Sequence, residues 1–250
     1  MRLRLLAGLC VVLGLAVWVG SASGDPNVGP PVCPPGGTAI DGSYGNLTIS
    51  GNRYVKSGTT LNVHGNLTIA PGACLDAFTM GTVHVGGNLL VSKGAILALG
   101  CTINSIGPVG SPCTGTTNDT VDGNLIADQA LTMYLDGDTI HGNVISKGGG
   151  PGLSGAFLNF PIKDNTIGGN LIVERWQGGW AGAIRNTVGG NLTWSGNASV
   201  KDPDSNEVQT NIVSGNLMCN GNSPAAQVNP ADGGQPNNVG GQKLGQCAGL

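Results

Sequence analysis

The 250-residue sequence has little charge and few aromatic side chains: 10% of its residues are charged and 4% are aromatic. Basic residues are the scarcer charged type, with 11 Lys and Arg against 14 Asp and Glu. This shortage of positive charge argues against nucleic acid and anionic lipid as partners. The sequence also lacks the Cys-x-x-Cys pairs of zinc sites and the nucleophile elbow of serine hydrolases. It contains no complete catalytic signature.

The N-terminal segment has the features of a secretory signal peptide. Arg2 and Arg4 precede an apolar run at residues 5–19, and small residues follow at 20–24. The run is shorter than the roughly 20 apolar residues that a membrane anchor needs. We therefore expect residues 1–24 to be removed, the mature protein to be secreted and extracellular, and no membrane contact to persist after cleavage.

Cysteine is scarce after the predicted signal peptide, but the number is even. Six cysteines remain, which in an exported chain indicates a disulfide framework rather than free thiols. The sequence does not fix the pairing. Nearest-neighbour pairing, one of several alternatives, gives Cys33–Cys74, Cys101–Cys113 and Cys219–Cys247.

Glycine is abundant, with 45 residues, and much of it falls in a repeated motif. Gly-Asn followed by Leu or Val occurs eight times, with successive Asn residues 20, 22, 36, 19, 27, 21 and 25 positions apart. The motif Asn residues are Asn46, Asn66, Asn88, Asn124, Asn143, Asn170, Asn191 and Asn216. We expect the 36-residue gap to hold one degenerate coil together with the Cys101–Cys113 segment.

Apolar residues alternate around the motif, as Val63, Leu67 and Ile69 illustrate. Alternate residues of a strand point to the same face, and Gly and Asn tolerate the backbone angles of a bend. No helical period is present. A strand, a bend and a strand repeated about every 20 residues predict an all-β, single-domain parallel β-helix, a solenoid that disulfides stabilise.

This fold divides the chain into four predicted segments. Residues 1–24 form the signal peptide, and residues 43–218 form the β-helix repeats. Exposed end rungs need protection, because unpaired strand edges invite aggregation. We therefore assign residues 25–42, rich in Pro and Gly, to an N-terminal cap and residues 219–250 to a C-terminal cap.

The motif and the tail, at residues 219–224 and 240–247, resemble a family of secreted actinobacterial Gly-Asn-Leu repeat proteins. The resemblance spans nearly the whole chain after the signal peptide. It implies a compartment and a fold, and no activity. More distantly, the coil resembles right-handed parallel β-helix proteins of the pectate-lyase type. A likeness of fold does not establish a function.

An Asx-Thr-aliphatic signature recurs five residues before the motif Asn, and it makes Asp119 and Asp138 equivalent in consecutive coils. Stacked coils would bring these carboxylates to about 5 Å. One pKa would then rise, and the pair could perform acid–base chemistry with Asp136. The same oxygens could instead bind calcium, the one cofactor that the sequence suggests. The structural alternative is that Asx accepts backbone hydrogen bonds at a corner, because other coils have Asn there.

A second candidate site surrounds two tryptophans that flank Gln-Gly-Gly. Tryptophan faces stack on sugar rings, so Trp176 and Trp180 predict contact with a glycan, and Arg175 and Arg185 could bind its hydroxyl or carboxylate groups. The alternative is that the tryptophans cover a corner of the coil.

The third candidate is a column of residues two positions after the motif Asn. It contains Thr at three coils and large aliphatic residues at five, namely Leu90, Ile126, Ile145, Ile172 and Met218. Strand parity points this column outward, where it would form a partner surface. We expect instead that the bend resets the parity or that the 148–162 loop covers the column.

These observations give three functional hypotheses. The first is a secreted, non-catalytic module that binds glycan or a cell-wall surface through the tryptophan and arginine residues. The second is a structural protein that self-associates through the apolar column or end to end. The third, which we rank last, is a polysaccharide lyase or hydrolase that uses Asp119, Asp136 and Asp138. The sequence has too few basic residues near this cluster to stabilise a substrate carboxylate.

Overall fold

A computed structural model describes residues 33–34, 36–103, 113–199 and 201–250. The predicted signal peptide lies outside the described residues, as do positions 25–32 of the predicted N-terminal cap.

The described chain winds through three parallel sheets, with strands numbered in chain order. Sheet A contains β1 (Thr38–Ala39), β4 (Asn52–Tyr54), β7 (Cys74–Asp76), β10 (Ile96–Leu99), β13 (Thr132–Asp136), β16 (Asn159–Lys163), β20 (Trp180–Ile184) and β24 (Glu207–Gln209). Sheet B contains β2 (Gly42–Tyr44), β5 (Thr60–Val63), β8 (Thr82–Val85), β11 (Thr120–Val121), β14 (Thr139–Ile140), β17 (Thr166–Ile167), β21 (Thr187–Val188), β25 (Ile212–Val213) and β27 (Asn238–Val239). Sheet C contains β3 (Leu47–Ile49), β6 (Leu67–Ile69), β9 (Leu89–Val91), β12 (Leu125–Asp128), β15 (Val144–Lys147), β18 (Leu171–Glu174), β22 (Leu192–Ser195), β26 (Leu217–Asn220) and β28 (Lys243–Gly245).

Two smaller elements complete the fold. A short sheet pairs β19 (Gln177–Gly178) with β23 (Ala198–Ser199), and a 3-10 helix spans Pro230–Asp232. No helix in the described part of the chain is long and apolar enough to cross a membrane.

Each coil passes through sheet B, then sheet C, then sheet A, and pairs in parallel with the coils above and below. Sheets B and C each have nine strands in the described residues, which gives nine rungs. The predicted parallel β-helix is therefore confirmed. The ninth rung, β27 and β28, lies within residues 219–250, so the solenoid continues into the segment predicted as a C-terminal cap.

The 36-residue gap between motifs contains no additional coil. Strand β8 pairs directly with β11, and β9 pairs directly with β12. The extra residues belong to the connection between β10 and β11, residues 100–119, which includes the Cys101–Cys113 disulfide. Our prediction of a degenerate coil here was wrong, because spacing alone does not separate an extra rung from a long connection.

Aliphatic side chains fill the interior of the solenoid at alternate strand positions. In sheet C the first residue of nearly every strand is a fully buried Leu or Val, as at Leu67, Leu125 and Val144. Sheet B adds a parallel column that includes Val121 and Ile140. Burial of each such side chain contributes about 1.5–3 kcal/mol, so stacking is the main source of stability.

The corner between sheets B and C is held by a ladder of asparagine side chains. The Oδ1 atom of each motif Asn accepts the backbone N–H of the equivalent residue in the next rung, at 2.8–2.9 Å, from Asn46 through to Gln242. The preceding glycines also pair, as Gly142 N–H donates to Gly123 O at 3.0 Å. The repeated Gly-Asn motif thus joins each rung to the next through hydrogen bonds.

The three nearest-neighbour disulfides are present. Their Cα–Cα distances are 5.6 Å for Cys33–Cys74, 5.7 Å for Cys101–Cys113 and 5.2 Å for Cys219–Cys247. The last of these joins strand β26 to the end of the ninth rung. Three disulfides in one domain fit an oxidising compartment.

Candidate functional site

The predicted acidic pair lies inside the molecule. Asp119 and Asp138 precede residues that pair in register, Thr120 and Thr139, so the two carboxyl groups occupy adjacent rungs as predicted. Both side chains are buried. Asp119 accepts backbone N–H groups from Val83 at 2.8 Å and from Gly100 at 2.9 Å. Both hydrogen bonds come from the backbone, so the Asp119 carboxyl group connects segments of the fold, as the structural alternative predicted.

Burial dominates the electrostatics of the pair. It raises the pKa of Asp119 to about 7, against the two backbone hydrogen bonds. The pKa of Asp138 lies well above its ordinary value, first because of burial and then because of the nearby charges of Asp119 and Asp136. The expectation that one carboxyl group would hold its proton is therefore supported.

Asparagine occupies the Asp138 position in the later rungs and forms a second ladder. The Oδ1 atoms of Asn165, Asn186, Asn211 and Asn237 each accept the backbone N–H of the preceding rung, at 2.9–3.1 Å. Their Nδ2 groups donate back to carbonyls of sheet A, as Asn165 does to Leu135 O at 3.1 Å. This supports the structural interpretation of the Asx signature.

The acid–base and calcium roles predicted for this cluster would need carboxyl groups that open to solvent. Asp136 is also buried and accepts the Thr102 hydroxyl at 3.1 Å. The three carboxyl groups are thus not presented to a polysaccharide in solvent. Among the residues that the structure describes, no group of three or more His, Cys, Asp or Glu side chains is arranged to hold a metal ion.

The two tryptophans predicted to contact a glycan are buried, each with 1% of its surface exposed. Trp176 Nε1 donates to Leu131 O at 3.3 Å, and the Trp176 ring packs 5.3 Å from Phe160. Trp180 Nε1 donates to Glu207 at 3.4 Å, and the Lys163 ammonium lies 5.1 Å from the ring centroid of Trp180. Neither ring offers a free face to a sugar. The predicted aromatic platform was wrong.

The arginines of that prediction are at the surface but at separate corners. Arg175 lies 3.7 Å from Glu174. Arg185 makes a bidentate pair with Asp164, at 2.7 and 2.6 Å, and this hydrogen bond raises the pKa of Arg185 above its ordinary value. No tryptophan face accompanies either arginine at the surface.

The apolar column, in contrast, is exposed. It runs along the outer face of sheet C through Thr48, Thr68, Leu90, Ile126, Ile145, Ile172, Thr193, Met218 and Leu244, each paired with the next in register. We call the four-rung part from Leu90 to Ile172 the aliphatic strip. Leu90 and Ile126 are each 36% exposed, and Ile145 and Ile172 are partly exposed. We expected the bend to reset the strand parity or the 148–162 loop to cover this column, and that expectation was wrong.

Sheets A and C differ in how much of their outer faces is exposed to solvent. Strands β13, β16 and β20 of sheet A are buried at every position. Strand β12 of sheet C alternates between buried and exposed residues. The described chain therefore leaves the outer face of sheet C open, and a continuous aliphatic column on such a surface is typical of an interface.

Charged residues that sequence reasoning missed border the strip. Two positions after Ile126, Ile145 and Ile172, the same outward parity gives Asp128, Lys147 and Glu174 on three consecutive rungs. Glu174 is already paired with Arg175. Within the described residues, Asp128 and Lys147 take part in no ion pair and are exposed. Strand parity applied one step further would have identified them.

These features define a parallel β-solenoid with one open, partly apolar sheet face. Comparison of the chain with protein-family models, with curated proteins and with solved structures finds no match.

Proposed function

We propose that this chain is a non-catalytic extracellular scaffold protein that associates with further copies of itself through the aliphatic strip. The observation that carries the proposal is a column of four large aliphatic side chains on consecutive rungs of an open sheet, of which Leu90 and Ile126 are exposed and Ile145 and Ile172 partly exposed. Two such faces can pack about 10 Å apart, as the sheets of a β-sandwich do.

The other hypotheses have less support, because several of their candidate residues are buried. Burial of Trp176 and Trp180 removes the aromatic contacts on which glycan binding depended. Burial of Asp119, Asp136 and Asp138 supports a non-catalytic role over the lyase or hydrolase. The predicted signal peptide and the three disulfides are consistent with a scaffold that works outside the cell.

The substitution Ile126→Glu is expected to weaken self-association about 100-fold. Each interface would then contain two uncompensated carboxylates in place of two buried aliphatic groups. Sedimentation velocity across the micromolar range measures the dissociation constant. Ile212→Glu is the matched control, because Ile212 is an exposed isoleucine, 53% accessible, on the outer face of sheet B. Wild-type protein that stays monomeric at every concentration would contradict the proposal.

A further inference from the structure

We infer that the partner at this face is a second copy in antiparallel orientation, related by a two-fold axis that runs parallel to the strands and passes between β12 and β15. This inference rests on the proposed function and adds the register. Rotation about such an axis reverses the order of the rungs and keeps the position along each strand. Every outward column of one copy then faces the same column of the other.

The column on sheet C is nearly a palindrome about that axis. Read along the rungs, its central six residues are Thr68, Leu90, Ile126, Ile145, Ile172 and Thr193. Ile126 would face Ile145 of the second copy, and Leu90 would face Ile172. Thr68 would face Thr193, so aliphatic groups meet aliphatic groups and hydroxyls meet hydroxyls. A self-complementary patch of this kind is what an isologous interface requires.

The charges beside the strip are complementary in the same register. Asp128 lies on β12 and Lys147 on β15, so the axis places Asp128 of each copy opposite Lys147 of the other. Two opposite-charge pairs form in one dimer. Both residues take part in no ion pair within the described chain and are exposed, so they are available for this contact. Glu174 would face Ser92, which carries no charge.

Two-fold axes at neighbouring positions along the rod give less favourable contacts between the two copies. An axis through β15 sets Lys147 against itself and Asp128 against Glu174, and an axis through β12 sets Asp128 against itself. Like charges directly opposed across an interface are strongly unfavourable. An axis between β15 and β18 pairs Lys147 with Glu174, which Arg175 already neutralises. It also sets Ile126 against Thr193, which breaks the aliphatic match.

The size of the face fits a weak, closed dimer. In this register eight of the nine rungs overlap. Eight rungs about 4.8 Å apart and strands about 13 Å long give about 500 Å² per copy, or about 1,000 Å² in total. This is the lower limit for a specific interface, so we expect association in the micromolar range. A two-fold interface buries this face on both copies, so no further copy can bind through it and the assembly is a dimer.

A charge exchange tests the register. Asp128→Lys opposes two lysine pairs in the dimer and is expected to weaken association at least about tenfold. The double variant Asp128→Lys/Lys147→Asp restores both pairs with their signs exchanged, and its dissociation constant is expected to return to within about threefold of wild type. Asp122→Lys is the matched control: it makes the same change of charge in the same coil, at an exposed residue of the sheet B side.

The outcomes separate this inference from the proposed function. Wild-type protein that does not associate overturns both. Association that Ile126→Glu abolishes, with the double variant no better than Asp128→Lys alone, overturns the register and leaves the strip as the interface. In the register between β15 and β18 the double variant would be weaker still, because Asp at 147 would face Glu174. Sedimentation to species larger than two copies also overturns the closed dimer.

Discussion

Replacing Gly142 with alanine is expected to lower the free energy of unfolding by about 3 kcal/mol. A Cβ atom at this corner would lie 2.5 Å from Gly123 O and 2.7 Å from Oδ1 of Asn124 in the rung below. Both oxygens belong to the stacked corner and have no room to move without breaking the asparagine ladder. Thermal unfolding followed by circular dichroism should show a midpoint about 6–12 °C lower than that of wild type.

Gly45→Ala is the matched control for this prediction. Gly45 occupies the same motif position in the first rung, and a Cβ atom there would meet nothing within 4 Å. We expect its unfolding free energy to stay within about 0.5 kcal/mol of wild type. Equal losses in the two variants would mean that glycine is required for its backbone conformation, and not for the close approach of the rungs.

Replacing Asp138 with asparagine is expected to stabilise the fold increasingly as pH rises. Because the folded-state pKa of Asp138 is raised, the folded chain keeps a proton that the unfolded chain releases near pH 4. Folding above that pH must take up this proton. The contribution of Asp138 to stability is therefore fully present below about pH 4 and is lost at about 1.4 kcal/mol per pH unit as pH rises towards its folded-state pKa.

Asparagine at position 138 removes this proton uptake and fits the second ladder. The Oδ1 atom of Asp138 has no hydrogen-bond partner among the described residues. Asn165 in the next rung donates Nδ2–H to Leu135 O, and the strand register makes Leu99 the equivalent residue below. The new amide would have the same kind of acceptor. The stability of the variant relative to wild type should therefore increase as pH rises above about 4.

Urea unfolding at several pH values measures this difference. Part of the pH dependence should remain in the variant, because the pKa of Asp119 is also raised, to about 7. Asp41→Asn, at an exposed carboxylate, serves as the control and should follow wild type. A variant whose stability relative to wild type does not increase with pH would contradict the prediction.

The fold was predictable because its signals are local and repeated. The asparagine positions gave the rung spacing, and the alternation at residues such as Val63 and Leu67 gave the interior face. Nearest-neighbour disulfide pairing was the alternative that suits a solenoid, since residues close in sequence lie on the same or neighbouring coils. A solenoid brings together few residues that are distant in the chain, so a local pattern suffices.

The candidate site was harder to predict because coverage is not a local property. Parity alone placed the Ile126 column outward, and parity could not show whether another segment of the chain covers it. Trp180 failed for the same reason: it alternates with the core residues Ala181 and Ala183 and so lies on the other face of sheet A, yet it is buried there. Trp176 instead belongs to the interior core. Whether an outward residue meets solvent depends on where long connections pack.

The connections differ in how freely their length changes. The Gly-Asn turn between sheets B and C has the same length in every rung from β5 onward and is one residue shorter between β2 and β3, whereas residues 100–119 and 148–158 are long connections that leave or enter sheet A. The two flanks of the rod therefore differ in the length of chain that they accommodate. We expect the flank with the long connections to accept an inserted peptide, for which Gly152, with open space around it, is a suitable entry point. We expect an insertion in the Gly-Asn turn, in contrast, to break the asparagine ladder.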